Sequence, residues 1–248
     1  MGKVLIVTGA SRGIGAATAR LAAARGYDVC VNYVRNRAAA DALVEDIVAL
    51  GRRAIAVGAD VASEADVVRL FETVDRSLGR VAALVNNAGI LERQSRVEQM
   101  DAARLSRILA TNVTGSFLCA REAVRRMSHE HGGGGGAIVN VSSAAARLGS
   151  PNEYVDYAAS KGAIETFTIG LAREVAEQGI RVNAVRPGII ATQIHASGGD
   201  PDRPERVKGA IPMKRAGHAQ EVAAAILWLL SDEASYSTGA ILDVSGGR

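Results

Sequence analysis

The chain has 248 residues, of which 48% are hydrophobic and 22% charged, with a formal net charge of +3; this suits one α/β domain with a substantial core. Arginines alternate with Asp and Glu along the chain, so no nucleic-acid stripe forms, and no apolar run is long enough to span a bilayer. Cys30 and Cys119 stand outside any C-x-x-C pair, which gives a redox motif or zinc site no support. They read as free thiols of a cytoplasmic protein, and the opening "MGKVLIVTGA" is too short for a signal h-region.

In chain order, short apolar runs alternate with amphipathic segments. "KVLIVTG" leads to a helix over 14–25, "DVCVNYV" to 36–50 and "RAIAVGA" to 64–78. "AALVNNAG" precedes 100–130, "GAIVNVSS" precedes 151–178, "IRVNAVRPG" precedes 219–231, and "GAILDVSGG" closes the chain. The runs are near-continuously apolar, as in strands buried on both faces of a parallel sheet. The rhythm predicts a single doubly wound sheet over 1–248 with helices on both faces. Gly132 to Gly136 reads as a flexible surface connection. "ERQSRVEQ" and the long segment 189–215 break the rhythm, and the latter reads as a lid or binding loop.

"VTGASRGIG" carries Gly9, Ser11, Arg12, Gly13, Ile14 and Gly15 from the first strand into the first helix. Glycines let backbone approach a pyrophosphate, and a helix N-terminus offers free N–H groups and a positive dipole end. An acid at the end of the second strand would hold a ribose 2′-OH. Here stand Asn32, Tyr33, Arg35 and Arg37 with no acid. Arg12 and Arg35 can clamp a 2′-phosphate, so NADP(H) is expected as the preferred cofactor, with NAD(H) possible.

"SPNEYVDYAASK" places Tyr154 and Tyr157 before Lys161, one of four lysines in the chain. Ser150, Pro151 and Glu153 resemble an N-cap, a proline at the first helical position and a capping-box acid. A helix starting there puts all three on one face. At about 1.5 Å rise per residue, Tyr157 is roughly 6 Å from Lys161 along the axis and Tyr154 roughly 10 Å. The nearby ammonium is expected to lower the Tyr157 pKa towards neutrality. Tyr154 reads as a wall of the substrate pocket. No metal-ligand spacing is visible, and His195 reads as a solvated loop histidine.

T-G-x-x-x-G-x-G at 8–15, "NNAG" at 86–89, "TNVTG" at 111–115, "NVSS" at 140–143, Y-x-x-x-K at 157–161 and "RPG" at 186–188 occur in one order. Together they resemble the short-chain dehydrogenase/reductase family over essentially the whole chain. The resemblance implies a Rossmann-type sheet of seven strands, hydride transfer at a small carbonyl or alcohol, and a homotetramer. It implies Tyr157 as general acid/base, Lys161 as its electrostatic partner and ribose ligand, Ser143 on the substrate oxygen with Ser142 as the competing serine, and Asn112 as anchor of a proton-relaying water. It also implies Asn87, Ala88, Gly89, Asp60 and Val61 beside the adenosine, and Pro187, Gly188, Ile189 and Thr192 at the carboxamide end. Sugar or polyol dehydrogenase and 3-oxoacyl-thioester reductase are equally implied. A non-catalytic NAD(P)-binding regulator on the same fold is the alternative.

Overall fold

The computed structural model describes residues 2–248, apart from the side chain of His195. Each of the seven apolar runs forms a strand: β1 Val4–Val7, β2 Asp28–Tyr33, β3 Ala54–Gly58, β4 Val81–Asn86, β5 Gly136–Val141, β6 Ile180–Pro187 and β7 Ile241–Val244. They make one parallel sheet in the order β3-β2-β1-β4-β5-β6-β7. The order reverses between β1 and β4, which opens a crevice at their carboxyl ends, where such sheets bind ligands.

Ten α-helices flank the sheet among the described residues: α1 Gly13–Ala24, α2 Arg37–Ala49, α3 Glu64–Ser77, α4 Ala102–Leu109, α5 Gly115–Met127, α6 Ala145–Leu148, α7 Val155–Glu174, α8 Ile194–Ser197, α9 Arg203–Val207 and α10 Ala219–Leu230. Successive side chains of a strand point to opposite faces, and β1 feeds two cores accordingly. Leu5 and Val7 join Val29, Val85 and Val139 under α1, α2 and α10. Ile6 joins Leu84, Ile138, Phe71 and Met127 under α3, α5 and α7.

Three expectations change. The segment 100–130 is two helices joined through a π-helical turn, Ala110–Thr114. Gly132 to Gly136 is tied down and not a loose connection: Gly133 N donates to Ser128 O, Gly135 N to Met127 O and Gly136 N to Gly179 O. The segment read as a lid keeps its place after β6 and holds the short helices α8 and α9.

The third correction bears on the site. The helix expected from Ser150 starts only at Val155, with Tyr154 in the N-cap position. Ser150 and Asn152 have left-handed backbones, φ 45° and 62°, which interrupt a helix at once. The Glu153 carboxylate takes the Arg203 guanidinium at 2.8 and 2.5 Å instead of capping. Tyr154 therefore does not share a helix face with Tyr157 and Lys161.

Polar side chains bind β4, β5 and α7 through the core. Asn86 Nδ2 donates to Asn140 Oδ1 at 2.9 Å, and Asn140 Nδ2 donates to Thr168 Oγ1 at 2.9 Å. Asn140→Ala should cost about 1–3 kcal/mol, because Asn86 and Thr168 lose buried partners. Urea unfolding checks this; an unchanged midpoint would show that the chain of amides does not support the sheet.

Candidate active site

The turn from β1 into α1 is held from beneath. Thr8 Oγ1 accepts from the backbone N–H groups of Asn87 and Ala88, both at 3.0 Å, and Asn87 Nδ2 donates to Thr8 O at 2.8 Å and Gly9 O at 3.1 Å. Asn32 Oδ1 accepts from Gly9 N at 3.1 Å. Gly15 lies so close that a Cβ there would sit 2.6 Å from Asn87 Nδ2 and 2.8 Å from Gly9 O. Side chains of Asn36, Ser63 and Asp101 cap α2, α3 and α4, whereas α1 starts at Arg12 with no side-chain cap. The exposed N–H donors and the glycine cradle fit a dinucleotide pyrophosphate.

The other expected cofactor residues line the same carboxyl edge. Tyr33 ends β2 with its ring against Gly58, while Arg35 just beyond is exposed. Arg12 is also exposed and donates to Ser197 Oγ of α8 at 3.3 Å. Asp60 is exposed and Val61 buried after β3; Asp60 Oδ1 accepts from Ala62 N at 3.0 Å. Pro187 ends β6, and Gly188 N donates to Val244 O at 3.0 Å. Ile189 follows, and Thr192 comes back over the phosphate turn, 3.5 Å from where a Gly13 Cβ would lie. Ser11, Arg12, Gly13 and Gln193 share a depression of about 550 Å³.

The residues expected at the reaction centre gather at the ends of β4 and β5. Lys161 is buried in α7 and donates from Nζ to Val141 O at 2.7 Å. Burial pulls its pKa down from 10.5 to about 8. Nζ lies 5.6 Å from the centroid of the Tyr157 ring. Opposite it is Gly89, where a Cβ would be 3.5 Å from Nζ and 3.4 Å from Asn112 Oδ1. Asn112 is fully enclosed: its Oδ1 accepts from Ile90 N at 2.8 Å, and its Nδ2 donates to Ile90 O and Ser160 Oγ, both at 3.1 Å. Ser160 Oγ in turn donates to Tyr157 O at 2.7 Å. The π-helical turn that carries Asn112 lets its side chain meet α7, and such turns are frequent at functional sites.

The two serines separate. Ser142 is buried; its Oγ donates to Glu165 Oε1 at 2.8 Å and lies 3.3 Å from Lys161 O. Ser143 is half-buried; its Oγ accepts from Ala145 N at 3.2 Å, and its hydroxyl faces the Tyr157 phenol and favours its ionised form. In the chain alone, burial raises the Tyr157 pKa above its ordinary 10.0, against the smaller opposing pull of Ser143. The lowering expected from Lys161 does not prevail in the chain alone, where desolvation of the phenolate is the larger effect.

Tyr154 is buried away from this cluster, beneath the lid. Its hydroxyl donates to Gly198 O at 3.4 Å, and the Arg203 guanidinium lies 5.2 Å from its ring centroid. The His195 reading falls on a side chain outside the described ones. Pattern reading missed Arg104 and Asp156, a buried bidentate pair at 2.7 and 3.3 Å beside Tyr157, and Glu165 with Arg186, paired at 2.7 Å through both guanidinium contacts. The members of each pair are 52 and 21 residues apart, and periodicity does not reach across such gaps.

Residues 9–248 match a family model described as enoyl-(acyl carrier protein) reductase. The chain is 59% identical over 245 residues to an uncharacterized oxidoreductase, YgfF, of Escherichia coli, covering 99% of both chains. It is 40% identical over 246 residues to a 3-oxoacyl-[acyl-carrier-protein] reductase of Synechocystis, covering 99% of this chain and 96% of the other. To glucose 1-dehydrogenase 2 of Bacillus subtilis it is 39% identical over 246 residues, covering 99% and 94%. A crystal structure of a short-chain type dehydrogenase/reductase from Mycobacterium marinum superposes with a TM-score of 0.92 at 33% identity, covering 99% of this chain and 95% of that one. With the seven-stranded sheet and the ordered motifs, these likenesses make the chain a member of the short-chain dehydrogenase/reductase family.

Proposed function

We propose that this chain is an oxidoreductase that passes a hydride between NADP(H) and a small carbonyl/alcohol pair, with Tyr157 as the proton carrier. The convergence of Tyr157, Lys161, Ser143 and Asn112 next to an anion-fitted glycine turn carries this reading. When bound, the nicotinamide supplies or accepts the hydride.

The chain's own groups do the rest. In reduction the Tyr157 phenol gives its proton to the substrate oxygen as that oxygen gains charge; in oxidation the phenolate takes the proton back. With a pKa raised from 10.0 the phenol stays protonated at neutral pH, as an ordinary tyrosine does, and this is the form a general acid needs. Ser143 donates a hydrogen bond to the same oxygen. Lys161 stabilises the phenolate by charge and offers further N–H donors to the ribose hydroxyls. Asn112 orders the turn from which a water returns the proton.

NADP(H) is preferred over NAD(H) in this reading because the end of β2 carries no acid and Arg12 and Arg35 are exposed beside the turn. Tyr33, Asp60, Val61, Asn87, Ala88, Gly89, Pro187, Ile189 and Thr192 complete the cofactor bed, with Tyr154 supporting the lid side of the substrate pocket. The names of the relatives leave two substrate classes, 3-oxoacyl thioesters and sugars. Exposed Leu105, Leu109, Phe117 and Ile169 on α4, α5 and α7 give an apolar surface suited to a homotetramer. Among the described residues no helix is long and apolar enough to cross a membrane, and two buried free thiols suit a cytoplasmic protein. A non-catalytic regulator gains no support from relatives named as an oxidoreductase, a reductase and a dehydrogenase.

Following NADPH absorbance over a panel of ketones, 3-oxoacyl thioesters and aldoses, Tyr157→Phe should lower kcat by at least about 10²-fold; near-normal turnover would remove Tyr157 from its role. The double variant Arg12→Ala with Arg35→Ala should lower kcat/KM for NADPH by about tenfold or more while NADH changes little. Equal losses with both cofactors would contradict the phosphate clamp.

The charge state of Lys161 predicts a pH effect. Its pKa is depressed in the folded chain, so between about 8 and 10.5 the unfolded chain holds the extra proton and stability from this group rises with pH. Lys161→Met should flatten that rise, which is at most roughly 1.4 kcal/mol per pH unit. Urea midpoints at both ends of the window measure it; a wild-type slope in the variant would contradict the burial of a charged group there.

A further inference from the structure

Two charged side chains with no role assigned so far meet at the start of the helix that carries Tyr157. Arg104 on α4 and Asp156 in the first turn of α7 are only 8% and 7% exposed. Arg104 Nε donates to Asp156 Oδ2 at 2.7 Å and Nη2 to Oδ1 at 3.3 Å. Its Nη1 donates to Arg93 O at 2.7 Å. Asp156 Oδ1 also accepts from the backbone N–H of Tyr157 at 2.9 Å. One guanidinium thus joins the start of the tyrosine helix to the loop after β4, and the Asp101 side chain holds Arg104 N at 2.7 Å.

A buried ion pair is a poor device for stability alone, since desolvating both charges offsets much of their attraction. Its geometric effect is specific. Helix α7 starts with no side-chain cap, so Asp156 is the side chain that engages its first turn. The loop it clamps lies on the same side: Ser95 N donates to Glu153 O at 3.0 Å, and Arg107 pairs with Glu92 at 2.8 and 3.1 Å.

We infer that Arg104 and Asp156 are positioning residues for Tyr157, fixing the phenol and the 91–96 loop in one relative placement. The inference rests on Tyr157 being the proton carrier. The charged and titratable groups around the assembly are Arg104, Arg107 and Asp101 from α4, Glu92 from the loop, Asp156 and Lys161 from α7, and Ser143 facing the phenol. Arg104 and Asp156 balance one another, so removing either leaves a net charge of opposite sign next to Tyr157.

The test is the pH profile of alcohol oxidation by the full-length protein, with NADPH affinity followed by fluorescence. Arg104→Met leaves an uncompensated carboxylate and should raise the kinetic pKa by about half a unit or more. Asp156→Asn keeps an acceptor for the Tyr157 N–H but leaves the guanidinium, and should lower that pKa by a similar amount. Both should reduce kcat about tenfold or more through misplacement, with NADPH affinity within about threefold of wild type. Arg104→Lys should return the pKa but only part of kcat, since a point charge cannot hold Asp156 and Arg93 O in one plane. If Arg104→Met does not fold, the downward shift in Asp156→Asn decides the matter. Unshifted pKa values, or shifts of the same sign, would make the pair a scaffold only and overturn the inference while Tyr157→Phe stays inactive. Turnover retained in Tyr157→Phe would instead overturn the reading of the proton carrier, and this inference with it.

Discussion

Much of the site follows from keeping one ammonium inside the protein. Lys161 has lost almost all contact with water and holds Val141 O at 2.7 Å. A buried cation needs such acceptors and tends to give up its proton, which is why its pKa falls to about 8. The neighbours close around it. Gly89 lies against Nζ and the Asn112 amide oxygen, and the π-helical turn lets the Asn112 amide face α7. Ser160 then connects that amide to the Tyr157 carbonyl.

The cofactor half depends on a different kind of restraint. The glycine turn has no side chains with which to hold itself, so its shape is imposed by Thr8, Asn32 and Asn87 from the strands around it. Asn87 and Gly89 sit on the same short segment after β4. That segment both supports the glycine turn and borders Lys161 and Asn112, so it links the two halves of the candidate site. The same economy appears at Ser142 and Ser143, where one hydroxyl ties β5 to Glu165 and the next faces Tyr157.

The architecture was largely legible before any coordinates. Seven near-continuous apolar runs became seven parallel strands because such runs can be satisfied only by burial on both faces. What misled was local chemistry with two outcomes. Ser-Pro-x-Glu resembles a helix start, yet left-handed Ser150 and Asn152 and the distant partner Arg203 take the chain another way. The Tyr157 pKa went in the opposite direction because spacing reveals a nearby charge but not the depth of burial. Arg104 with Asp156, and Glu165 with Arg186, were illegible because their pairing is made by tertiary packing.

The central proposal is that Tyr157 is a half-buried phenol, protonated in the free protein and ionised when positive charge is brought against it. Titrating ¹³C-labelled tyrosine by NMR, with Tyr157 assigned through Tyr157→Phe, measures this directly in the free protein and with oxidised NADP bound. The account predicts a free-protein pKa above the ordinary 10.0 and a fall of about one unit or more on binding the cationic ring. A phenol that titrates below its ordinary value in the free protein, or is indifferent to the oxidised cofactor, would contradict it.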